Sequence, residues 1–116
     1  MRPEIAKYLH DVMIACQLLE DFTRGKSFAD YQAEALLRAG VEREFITIGE
    51  ALMQAEKLDA GAVQPITSLR QIIGFRNVLV HGYATVRHAT VWGVVENDLP
   101  VLKQQVAGLL AQAGTP

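Results

Sequence analysis

Cysteine is almost absent from this chain: Cys16 is the only one in 116 residues. That excludes an internal disulfide and a zinc site assembled from the cysteines of one chain. Cys16 continues the apolar phase of its surroundings, which predicts a buried, inert thiol. Long apolar runs are also missing. No segment approaches the ~18 uninterrupted apolar residues of a membrane span. Met1-Arg2-Pro3-Glu4 lacks the apolar run of a signal peptide, so the expected location is the cytoplasm. Neither sign of charge dominates, with a formal net charge of −2. A broad basic face is therefore not expected, and any RNA binding would depend on a small cleft. No two histidines stand at metal-ligand spacing, and His10 and His88 are isolated in sequence. Neither a metal site nor a cofactor is expected. A Gly-rich phosphate loop is lacking too, so the chain is not expected to be a nucleotidyltransferase itself.

What is present reads as helix throughout. Half of the residues are hydrophobic and 21% are charged, enough for one core in one domain spanning 1–116. Pro3 suits a first helical turn, and Ile5, Tyr8, Leu9, Val12, Cys16 and Leu19 recur at helical spacing up to Gly25. Ser27 can cap a short second helix that ends at Gly40. Val41, Phe45, Ile48, Leu52 and Ala55 mark a third, and Leu58 to Gln64 forms a connection. Pro65 opens a fourth helix to about Val80, which Gly82 would end in a left-handed conformation. A last helical stretch starts near His88, and Pro100 is expected to kink or split it. Leu102, Val106 and Leu109 follow on one face, and Gly114 to Pro116 is expected to fray. Strand signals are weak. The expected fold is all-α, an antiparallel up-and-down bundle of four to five helices.

The fourth helix carries the chemistry. Ile72, Ile73, Phe75, Val78, Leu79 and Val80 cover most of its circumference, which places it centrally or between two subunits. Thr67, Arg70, Gly74, Asn77 and His81 share one narrow polar stripe, and Gly74 would permit close approach of another backbone or a ligand. Arg76 lies off that stripe among apolar neighbours, so its guanidinium must find a carboxylate, a phosphate or water. Arg76 and His81 are about 140° apart on an ideal helix. They share a face only if the chain leaves the helix at His81, or if one subunit supplies each.

RNA cleaves itself when a 2′-hydroxyl attacks the adjacent phosphate, and the step needs no metal. His81 titrates in the range for acid or base work. Arg76 can stabilise charge at phosphorus, and Asn77 can orient the imidazole or bind a phosphate oxygen. Tyr83, past Gly82, is placed for exposure. Arg70, Asn77 and Tyr83 are the candidate substrate-binding residues beside catalytic Arg76 and His81. Plainer roles stand next to these. His81 can be a helix-end histidine on a terminal carbonyl, Arg76 half of a structural ion pair, and Tyr83 a packing aromatic.

Arg76-Asn77-Val78-Leu79-Val80-His81-Gly82-Tyr83 resembles the signature of the HEPN superfamily, and in particular its HepT branch. Ile48-Gly49-Glu50-Ala51, Val91-Trp92 and Asp98-Leu99-Pro100 are similar to further HepT segments. The resemblance implies an all-α homodimer and a metal-independent endoribonuclease, the toxin of a type VII toxin–antitoxin pair. Arg76 and His81 would be catalytic in a cleft between subunits. It also implies an MntA-like nucleotidyltransferase antitoxin that transfers AMP from ATP to Tyr83. Phosphate groups there would block the cleft. Arg87 stands where relatives often carry an acid. Glu50 falls off the apolar stripe of its helix and is left outside the catalytic set, as a solvated or subunit-facing carboxylate. Two other readings remain. One is a non-catalytic subunit that presents Tyr83 or a small substrate to a nucleotidyltransferase. The other is a structural dimerisation domain, which predicts that internal hydrogen bonds occupy the whole polar stripe.

Overall fold

The chain begins with the amphipathic helix α1, Pro3–Thr23, with Pro3 in its first turn. Ile5, Leu9, Val12, Cys16 and Leu19 form its fully buried stripe. Burial pushes the Cys16 thiol up to about 12, so it stays protonated at neutral pH. These observations come from a computed structural model that describes residues 1–113. The tail expected to fray, 114–116, lies outside the described residues. Gly25, at φ +72°, turns the chain after α1, in a conformation that favours glycine. Ser27 then caps α2, Phe28–Ala33, in a reciprocal box with Asp30.

Helix α3 spans Ala35–Leu58 and begins earlier than the sequence suggests. The break falls at Glu34, an extended residue between α2 and α3, and Gly40 lies inside the helix. Gly40 serves packing: a Cβ there would stand 3.2 Å from the Phe22 ring. That contact joins the end of α1 to the start of α3. At the other end, the Arg2 guanidinium donates to the Leu58 carbonyl at 3.2 Å. The two helices are therefore antiparallel.

The expected connection after Leu58 contains one helical turn, α4, Ala60–Val63, whose Gly61 N–H donates to the Asp59 carboxylate. Pro65 does not open the next helix. Ser68 is the N-cap residue of α5, Leu69–His81, and Pro65 sits in the preceding turn, where Val63 and Ile66 are buried. Gly82 is not left-handed either, at φ −124°. A 3₁₀ turn, Tyr83–Thr85, follows directly, with the Thr85 N–H and hydroxyl both donating to the Gly82 carbonyl.

Helix α6, His88–Gly93, runs through a π-helical segment, Val94–Asp98, into α7, Leu99–Ala113. The kink or split expected at Pro100 takes the form of this widened turn. The Leu99 N–H reaches back to the Val94 carbonyl, five residues earlier, next to the position where proline lacks a donor. Four rods result: α1, α3, α5 and the α6–α7 run. Among the described residues there is no strand. Tyr31 seals the bundle beside α6, with ring centroids 5.4 Å from Trp92 and 5.9 Å from His88. No helix of the described residues is long and apolar enough to cross a membrane.

Candidate active site

Helix α5 packs antiparallel on α3. Phe75 meets Phe45 edge-on at 5.3 Å, and further along Arg70 pairs with Glu56. Next to the Phe75 contact the helices come unusually close. A Cβ on Gly49 would lie 2.2 Å from the Cβ of Arg76 and 2.6 Å from its Cγ. Only glycine leaves room there for the arginine stem. The Arg76 side chain is consequently 14% exposed. Its Nη2 donates to the Glu50 carboxylate, and its Nη1 donates to Asn77 Oδ1 at 2.8 Å. Its Nε is buried without an acceptor among the described residues. Glu50 is more open than Arg76, at 45% side-chain exposure. The guanidinium is thus oriented from two sides by acceptors at the rim of the bundle.

His81 is the last residue of α5 and is exposed. The helix stays regular to that point, with the Gly82 N–H bonded to the Val78 carbonyl at 2.7 Å. The chain therefore does not leave the helix at His81, and the angle of about 140° between Arg76 and His81 stands. One chain groups Arg76, Asn77 and Glu50, and no contact joins Arg76 to His81 among the described residues. Tyr83 is 76% exposed in the turn after His81. Arg70 lies about 9 Å from Arg76 along the helix axis, and its pairing with Glu56 ties it within the chain. Arg87 is exposed at the start of α6.

The polar stripe differs from its expected setting. Thr67, Arg70, Gly74, Asn77 and His81 are all exposed, so the stripe faces outward. Thr67 bonds to Gln105, while Gly74 has open space around its Cβ position. The His81 side chain makes no hydrogen bond among the described residues, so internal bonds do not fill the stripe as a purely structural role requires. Val78 and Val80, expected to be covered, are 44% and 36% exposed.

Sequence reasoning left Glu50 outside the catalytic set, and the structure places its carboxylate on the Arg76 guanidinium. The available signal was the glycine beside it: a small residue at a helix crossing, followed by a carboxylate, complements an arginine stranded among apolar neighbours. His10 is exposed and distant in sequence from these groups. Trp92 is 7% exposed and belongs to the core rather than to a stacking platform. Among the described residues, no three His, Cys, Asp or Glu side chains converge as metal ligands.

The ribonuclease HepT-like family model matches residues 13–109. A protein of Thermococcus cleftensis named "Probable ribonuclease HepT" is 32% identical over 96 residues, which cover 83% of this chain and 86% of that protein. "Putative RNase MJ1380" of Methanocaldococcus jannaschii is 24% identical over 103 residues, 89% of this chain and 94% of that one. No solved structure matches significantly. The matched span contains both the Gly49-Glu50 crossing and the Arg76–Tyr83 segment, and the chain belongs to the ribonuclease HepT-like family.

Proposed function

We propose that this chain is a metal-independent endoribonuclease that acts as a homodimer. The observation that carries the reading is an arginine oriented by Glu50 and Asn77, with an exposed histidine five residues further along the same helix. In the cleavage step the 2′-oxygen forms a bond to phosphorus as the bond to the 5′-oxygen breaks. A base accepts the 2′-hydroxyl proton, and an acid supplies a proton to the leaving 5′-oxygen. His81 performs one of these transfers and its copy in the second subunit the other. Arg76 stabilises the charge that builds on the phosphate oxygens, with Asn77 beside it. The exposed valines of α5 support a dimer formed along this helix: Val78 lies a turn before His81, and Val80 a turn after Arg76.

The chain acts as a toxin restrained by an MntA-like nucleotidyltransferase antitoxin. The Tyr83 hydroxyl attacks the α-phosphorus of ATP, pyrophosphate leaves, and AMP remains on the oxygen. Support comes from the exposure of Tyr83 close to His81. The added negative charge would compete with RNA at Arg76.

The test is cleavage of a mixed RNA pool in EDTA by protein expressed without a partner. Wild type is expected to cut, and Arg76→Ala and His81→Ala to be folded and inactive. Cleavage retained in both variants would overturn the reading. If all three are inactive with Tyr83 unmodified, the alternative gains: a non-catalytic subunit that presents the exposed Tyr83 to the nucleotidyltransferase.

A further inference from the structure

A cavity of about 370 Å³ opens between α1 and α3, on the far side of Glu50 from the helix that carries Arg76. Tyr8 and Asp11 line it from α1, and Arg43, Thr47, Glu50 and Gln54 from α3. Glu50 belongs to both places, since the carboxylate that walls the cavity also holds the Arg76 guanidinium. Two other clefts, one beside Trp92 and one beside Leu36, include none of the residues around Arg76.

The charges of this cavity are unevenly matched. Asp11 is paired with Lys7 at 3.2 Å, and Glu50 with Arg76. The Arg43 guanidinium has no ion-pair partner among the described residues and is exposed. Both carboxylates are thus compensated, and one positive charge is left over. Lys7, whose charge is matched by Asp11, lies 5.6 Å from the Tyr8 ring centroid. A half-buried aromatic ring, a free guanidinium and an uncommitted carboxamide at Gln54 are the groups that hold one nucleotide of a single strand. The ring stacks on the base, the cation meets the phosphate, and the amide reads the base edge. The volume is of the right order for one nucleoside.

We infer that this cavity is the subsite for the nucleotide next to the scissile phosphate of single-stranded RNA, with Glu50 linking base recognition to the orientation of Arg76. The inference rests on the ribonuclease reading and names how its substrate is selected. It also explains how a chain of net charge −2 can hold RNA without a basic face.

Two measurements test it. The first is binding of a fluorescent single-stranded RNA made uncleavable by 2′-O-methyl groups, so that affinity is read apart from catalysis. The second is sequencing of the cut ends from a random RNA pool. Arg43→Ala should weaken binding roughly tenfold, the usual scale for one charge-assisted contact, and Arg43→Lys should recover part of it. Gln54→Ala should change the preferred base beside the cut. Arg24→Ala removes a cation at the far end of α1 and should leave both readouts unchanged. Unchanged affinity and preference in the Arg43 and Gln54 variants of a cleaving wild type would overturn the subsite alone. No binding by wild type would overturn it as well. Arg43-dependent binding without any cleavage would keep the cavity as a nucleotide site and remove the ribonuclease reading. Arg43 is exposed, so its replacement leaves the core intact.

Discussion

Arg76 depends on two consecutive residues of α3. Gly49 makes room for its stem, and Glu50 holds its end. The physical roles differ, and so do the expected outcomes. Gly49→Ala would place a Cβ 2.2 Å from the arginine Cβ, so α5 must shift off α3. The expected loss is about 1–3 kcal/mol in urea unfolding, the usual range for overpacking. Stability equal to wild type would mean that the helices can part without strain. Glu50→Gln keeps an acceptor and removes the charge, whereas Glu50→Ala removes both. Cleavage should fall more in the alanine variant than in the glutamine variant, mainly in kcat. Equal, undiminished rates in both would show that Arg76 needs no holding.

Among the elements, α2 is the shortest to have a complete N-terminal cap. The Asp30 carboxylate accepts from the Ser27 N–H at 2.9 Å, and the Ser27 hydroxyl accepts from the Asp30 N–H at 3.1 Å. The Ser27 backbone bond is the main reason that Asp30 lies below the ordinary aspartate range, and the Ser27 hydroxyl adds to it. A carboxyl depressed in the folded state stabilises above its unfolded value and loses that contribution as the pH falls through the folded one. Asp30→Asn should therefore lower stability at neutral pH and flatten the decline between neutral and strongly acid pH. Thermal melts at several pH values check this, and an acid limb as steep as wild type would count against it. Ser27→Ala should cost about 1 kcal/mol at neutral pH. Because α2 carries Tyr31 into contact with Trp92, tryptophan fluorescence can follow both variants.

For the whole molecule, the geometry that matters is the placement of Arg76 and His81 on α5. The helix carries them to different sides, and the valines next to each are exposed. A second copy packed along α5 would cover those valines and bring the groups of two chains together. Val78→Asp puts a charge on that face without touching the core of one chain. It should yield a folded monomer by sedimentation, with cleavage lost. A monomer that cleaves as well as wild type would place the complete site in one chain.

The all-α class, the amphipathic stripes of α1 and α3 and the candidate Arg76–Tyr83 segment were legible in the sequence. Hydrophobic periodicity and the choice of chemically active side chains are local properties, repeated every few residues. Helix boundaries were less legible where two signals competed. Gly40 and Pro65 look like punctuation, yet the breaks fall at Glu34 and Ser68, because Gly40 is needed under the Phe22 ring and Ile66 is drawn into the core ahead of α5. Gly82 needs no left-handed turn, because a 3₁₀ turn receives the chain. The pairing of Glu50 with Arg76 was decided by tertiary structure alone. Twenty-six positions separate the two, and only the antiparallel crossing at Gly49 brings the carboxylate to the guanidinium. Sequence determined that a buried arginine would require a partner; the packing of α5 on α3 determined which one.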